Sequence, residues 1–137
     1  MTPSTATVTV PGTLRDKLAA IAAAGFKGIE IFEQDLIAFD GTPREVGAMV
    51  RDHGLEIVLF QPFRDFEGLP EPHRRRAFAR AQRKFDLLAD LGVRDVLVCS
   101  SVHPEALGGI DRMADDFTEL GGLAAPRGIR VGFEALA

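Results

Sequence analysis

The sequence holds a single cysteine, Cys99, among 137 residues. One thiol makes neither an intramolecular disulfide nor a thiolate zinc site, so neither staples the fold. No apolar run approaches the ~18 residues of a membrane span, and the first ten residues lack the basic flank and apolar block of a signal peptide. These absences lead us to expect a cytoplasmic protein with no membrane contact. Positive charge is also in deficit: 16 Lys and Arg stand against 20 Asp and Glu, for a net charge of −4 and a pI near 5.3. That balance argues against nucleic acid as a partner. No P-loop, dinucleotide fingerprint or HExxH motif is present. What remains is a chain with 46% hydrophobic and 26% charged residues and a mean hydropathy of +0.07, enough to bury a core.

Four times a helix-like segment gives way to glycine and then to a short apolar or β-branched run: Gly25–Ile29, Gly54–Val58, Gly92–Val96 and Gly128–Val131. Glycine suits the left-handed residue that closes a helix, so each instance reads as helix stop, loop and strand start. Repetition of this unit predicts strands over 6–10, 28–33, 56–61, 95–100 and 129–134, with helices over 13–24, 43–53, 71–91 and about 106–127. Regular alternation implies parallel strands joined by right-handed crossovers. The fold class is therefore α/β, a partial (β/α)8 barrel of about five parallel strands with four intervening helices. A complete barrel usually takes about 250 residues.

Local chemistry supports the helices. Thr42-Pro43-Arg44-Glu45 combines an N-cap, a first-turn proline and a capping-box glutamate, and Thr13-Leu14-Arg15-Asp16 is a weaker version. In the 71–91 helix Phe78, Ala81, Phe85 and Leu88 recur at three- and four-residue steps. Arg74, Arg75, Arg80, Arg83 and Lys84 read as its solvated outer face rather than as a phosphate-binding arm. The last helix is the weak one. Gly121 and Gly122 disfavour helix by about 1 kcal/mol each and Pro126 breaks an interior turn, so a frayed or broken element is expected.

In a parallel barrel the C-terminal strand ends carry the chemistry. Alternation in the last strand sends Ile129, Val131 and Phe133 toward the helices and Arg130, Gly132 and Glu134 inward. Glu134 reads equally as a metal ligand or acid/base group and as a structural ion-pair partner. Glu30 and Glu33 fall on opposite sides of the second strand, and for each a rim role competes with a salt bridge. The segment Gln61-Pro62-Phe63-Arg64-Asp65-Phe66-Glu67-Gly68 suits a substrate-facing loop, with Arg64 either gripping a carboxylate or phosphate or pairing locally with Asp65 or Glu67. Cys99 and His103 form a conceivable nucleophile pair, but Cys99 reads better as a buried small hydrophobe. His53 and His73 read as surface residues. A carboxylate-rich rim of this kind suits a hard divalent cation.

The stretches Ala6–Leu14, Ala22–Glu33, Leu59–Gly68, Arg83–Asp86 and Gly132–Ala137 resemble the bacterial 3-dehydroshikimate dehydratases. These belong to the xylose isomerase-like TIM-barrel superfamily of sugar phosphate isomerases and epimerases and are often fused to a 4-hydroxyphenylpyruvate dioxygenase-like domain. The resemblance covers nearly the whole chain, and Phe60–Gly68 is its family-specific part. It implies a metal-dependent lyase that converts 3-dehydroshikimate to protocatechuate, using Mg2+, Mn2+ or Co2+ held by strand-end carboxylates. It implies Glu134 as a metal ligand, and Arg64, Gln61, Glu33 and Ser100 as substrate contacts. Its remaining ligands and its acid/base histidine would come from strands six to eight, beyond residue 137. By that comparison residues 1–137 are expected to be the N-terminal part of the barrel domain, inactive alone. A sugar phosphate isomerase or epimerase is the alternative within the fold, and a non-catalytic partial barrel that self-associates through open sheet edges is the alternative outside it. The superfamily also includes apurinic endonucleases, which the negative net charge disfavours.

Overall fold

A computed structural model describes residues 2–136. The chain forms two compact units. One takes the residues up to Gln61 together with Leu87–Arg94, and the other takes Pro62–Asp86 together with the residues from Asp95 onward.

In the first unit the elements are β1 (Ser4–Ala6), α1 (Leu14–Ala23), β2 (Gly28–Phe32), α2 (Glu33–Ile37), α3 (Pro43–Asp52) and the larger part of β3 (Glu56–Phe63). Both pairs, β1 with β2 and β2 with β3, are parallel. The two expected caps are in place. The Thr13 side chain accepts from the Asp16 N–H and the Asp16 carboxylate accepts from the Thr13 N–H, and Thr42 and Glu45 repeat the arrangement ahead of Pro43. Leu18, Ile21, Ile29, Ile31, Val46, Val50 and Phe60 are buried.

The β2–β3 register contains a bulge. Ile29 pairs with Ile57 but Glu30 pairs with Leu59, leaving Val58 without a partner. The extra residue lets Ile57 and Phe60, three apart, share a face with Ile29 and Ile31. Glu30, Phe32, Leu59 and Gln61 then share the other.

The second unit contains most of α4 (His73–Leu91), with β4 (Asp95–Cys99), α5 (Ile110–Ala124) and β5 (Arg130–Glu134). β4 and β5 pair in parallel from Asp95–Arg130 to Cys99–Glu134. Phe78, Ala81 and Phe85 of α4 are buried, as the helical spacing predicts, and Val96, Val98, Leu120 and Ala124 are buried too; Leu88, also buried, lies on the part of α4 that belongs to the first unit. Gly25, Gly54, Gly92 and Gly128 all have positive φ where a helix hands over to a strand. The α/β order with five parallel strands thus agrees with the sequence reading.

Three elements differ from expectation. The first strand stops at Ala6, and residues 7–9, expected to be strand, form a 3-10 turn. Thr7 is fully buried and its hydroxyl accepts the Phe32 N–H at 3.0 Å, which pulls the backbone out of the ladder. A short helix, α2, follows β2 where none was expected. The last helix is neither frayed nor broken: α5 runs unbroken through Gly121 and Gly122. A Cβ at either glycine would meet nothing within 4 Å, so no packing contact depends on them. Buried Leu120 and Ala124 outweigh the helix-propensity deficit, and Pro126 sits beyond the helix in a terminal 3-10 turn.

Candidate functional site

At the strand ends of the first unit, the Gln61 side-chain amide donates to Glu30 Oε2 at 2.7 Å. The β3 bulge makes this contact possible, because it turns Gln61 onto the face that Glu30 occupies. Glu33 is half-buried at the first position of α2. A cavity of about 800 Å3 lies in the same unit around the start of α1, lined by residues that include Thr13, Arg15, Asp16, Asp35 and Phe39. Arg15 lies over the Phe39 ring.

The second unit carries Arg64, Ser100 and Glu134. Buried Phe63 and Phe66, with ring centroids 5.6 Å apart, flank the exposed Arg64 on the segment that follows β3. The local ion-pair reading of Arg64 does not hold, because its sequence neighbours are engaged elsewhere. Asp65 Oδ1 accepts from the Val102 N–H at 3.0 Å and from the Ser101 hydroxyl at 3.4 Å, while Glu67 Oε1 accepts from the Ser101 N–H at 2.6 Å. Glu67 is buried, and its other oxygen has no hydrogen-bond partner. Arg64 makes no ion pair among the described residues.

Two arginines expected on a solvated face are structural. Arg80 donates to the carbonyls of Arg64 and Asp65 and lies over Phe63. Arg74 donates to Asp116 at 2.8 Å and to Glu119 at 2.6 Å. Asp116, almost fully buried, also accepts from the Gly68 N–H at 2.8 Å, so α5 anchors the far end of the Arg64 segment. The physical reasons for the departure are tertiary: the 64–68 segment brings its carbonyls to Arg80, and α5 brings the carboxylates of Asp116 and Glu119 to Arg74.

Glu134, at the end of β5, is exposed. Its Oε2 lies 3.6 Å from the Cys99 thiol, which donates to it weakly. Burial pushes the Cys99 thiol above its ordinary range, and the Glu134 hydrogen bond adds to the effect. The group is held as a thiol, which suits the packing role expected of it and not that of a nucleophile. No hydrogen bond joins Cys99 to His103 among the described residues. The His103 ring lies 5.2 Å from that of His73, and His73 Nε2 is 3.3 Å from Glu105. His53 and His73, expected at the surface, are half-buried. The Ser100 hydroxyl accepts from the Leu136 N–H at 2.8 Å and so also braces the chain beyond β5.

Glu134 offers one exposed carboxylate to a cation. Among the described residues no three His, Cys, Asp or Glu side chains are grouped to hold a metal ion. The chain therefore fits a divalent ion as the source of one ligand and not as a whole coordination set. Sequence reasoning missed Asp65, Glu67, Arg80 and Asp116. Asp65 and Glu67 were visible only as local partners for Arg64, and nothing in the pattern around Asp116 distinguishes it from the exposed acids beside it.

An α/β chain whose parallel strands present polar side chains at their C-terminal ends is the architecture of a β/α barrel. The chain belongs to the xylose isomerase-like TIM barrel family, whose profile matches residues 18–137. It is similar over its whole length to the 3-dehydroshikimate dehydratases of Pseudomonas aeruginosa, at 56% identity, and Pseudomonas putida, at 53%. The chain spans 22% of the length of each of these relatives. Among solved structures, a xylose isomerase-like TIM barrel/4-hydroxyphenylpyruvate dioxygenase fusion protein superposes with a TM-score of 0.96 at 53% identity. That superposition takes in 99% of this chain and 22% of the fusion protein. No helix among the described residues is long and apolar enough to cross a membrane.

Proposed function

We propose that this chain provides part of the substrate site of a 3-dehydroshikimate dehydratase, a lyase that removes water from 3-dehydroshikimate to give protocatechuate. The observation that carries the reading is the exposed Arg64. In a chain more than half identical to two proteins of that name, Arg64 is exposed and makes no ion pair with Asp65 or Glu67, whose carboxylates accept backbone N–H groups instead, which suits its guanidinium to a substrate carboxylate. A guanidinium binds a carboxylate through two parallel hydrogen bonds, which fixes the orientation of the ring as well as its charge. Gln61, oriented by Glu30, and Glu33 and Ser100 are the further candidate contacts. Glu134 would hold one position of Mg2+, Mn2+ or Co2+, and such an ion, when bound, stabilises negative charge developing on a substrate oxygen.

The test is binding of 3-dehydroshikimate to the chain, measured by calorimetry for the wild type and Arg64→Lys. The lysine keeps the charge and loses the planar fork, so affinity is expected to fall by about tenfold. Equal affinity in the two proteins would remove Arg64 from the site. Tighter binding of a ketose phosphate than of 3-dehydroshikimate would favour a sugar phosphate isomerase or epimerase instead.

A further inference from the structure

Asp65 is the one residue other than glycine with a positive φ, +51°, among the described residues. An ordinary L-residue is unfavourable there, and aspartate and asparagine are among the few that tolerate it. The conformation turns the chain between two buried aromatic anchors, Phe63 and Phe66, and leaves Arg64 outside. Four contacts hold the turn. Arg80 takes the carbonyls of Arg64 and Asp65, the Asp65 carboxylate takes the Val102 N–H, and the Ser101 hydroxyl reaches the same oxygen. Of these groups only the Asp65 side chain joins the turn to the 101–102 segment at its apex. Its neighbours Glu67 and Asp116 fix the turn further along, through the Ser101 and Gly68 N–H groups.

We propose that Asp65 is a positioning residue for Arg64: it holds the backbone in the left-handed turn that aims the guanidinium at the substrate carboxylate, without touching substrate itself. The proposal rests on the reading of Arg64 as the carboxylate contact. Asp65 acts by preorganisation, because a side chain already pointed at its ligand loses less conformational freedom on binding.

Three variants separate the possibilities. Asp65→Asn keeps both the tolerance of positive φ and the side-chain oxygen. Asp65→Gly keeps the backbone conformation but removes the acceptor, and Arg64→Ala removes the guanidinium. The first readout is the 15N order parameter of the Arg64 amide. It should fall from about 0.85 to below about 0.6 in Asp65→Gly and stay high in Asp65→Asn. The second is the dissociation constant for 3-dehydroshikimate, which should rise about three- to tenfold in Asp65→Gly and be rescued in Asp65→Asn. A merely structural role would lower thermal stability in Asp65→Gly without moving either readout. An unchanged order parameter in Asp65→Gly overturns the proposal whatever the affinity. Unchanged affinity in Arg64→Ala overturns the reading on which it rests.

Discussion

Gly47 of α3 packs against the carbonyl oxygen of Leu91, so closely that a Cβ on Gly47 would lie 2.4 Å from it. Backbone cannot step aside as a flexible side chain can. Gly47→Ala should therefore destabilise the chain by about 1–3 kcal/mol, although alanine is favoured over glycine within a helix by about 1 kcal/mol. Gly121→Ala makes the opposite case. It lies within α5 with open space around it, and should stabilise by about 0.5–1 kcal/mol. Urea unfolding of the two variants beside the wild type reads both signs, and loss of stability in Gly121→Ala would refute the account of α5 given above.

Asp116 should be among the most sensitive polar positions. Asp116→Ala strips the partner from the Gly68 N–H and from Arg74 Nε, and is expected to destabilise by about 2–4 kcal/mol. Asp116→Asn retains an acceptor and should lose less. The comparison is a pair of denaturant midpoints, and equal losses would mean that charge and not hydrogen bonding is what Arg74 requires.

The capping boxes set an acid limit. The Thr13 hydroxyl and N–H donate to Asp16 and hold its carboxyl below the ordinary range, and the Thr42 N–H and hydroxyl do the same for Glu45. A folded pKa below the unfolded one adds stability that is complete above the unfolded values of about 3.9 and 4.3 and is lost as pH falls through the folded ones. Thermal melts should thus place Glu45→Ala below the wild type at about pH 7 and bring the two together near about pH 2.5. A gap that persists in acid would assign the effect to packing.

Cys99 should resist alkylation. It is buried, and desolvation keeps it protonated, so iodoacetamide should react far more slowly with the native chain than with the urea-unfolded one at neutral pH. Comparable rates would show that the strand end opens readily.

The repeated glycine punctuation and the two threonine caps were legible because each is a local arrangement whose physics lies within about four residues. The buried face of α4 was legible for the same reason. Tertiary effects were not. The Thr7 hydroxyl leaves the strand for a partner 25 residues away, Arg74 meets a carboxylate 42 residues away on α5, and Arg80 meets carbonyls that the 64–68 segment presents only when it is folded. At the candidate site the residue types were readable at Arg64, Gln61 and Glu134. Their surroundings were not, because Glu30 meets Gln61 and Cys99 meets Glu134 from other strands, and Ser101 engages Asp65 and Glu67, the acids close to Arg64 in sequence.

The unpaired Val58 gives β3 one residue in reserve. Excising that one codon would restore plain two-residue alternation and leave Leu59, Phe60 and Gln61 opposite Glu30, Ile31 and Phe32, so Phe60 would keep the face it shares with Ile31 and Gln61 its place beside Glu30. A second loss would find no bulge to absorb it, and every side chain downstream in the strand would then change sides. The ladder therefore forgives a single deletion at this one point and none elsewhere in the strand.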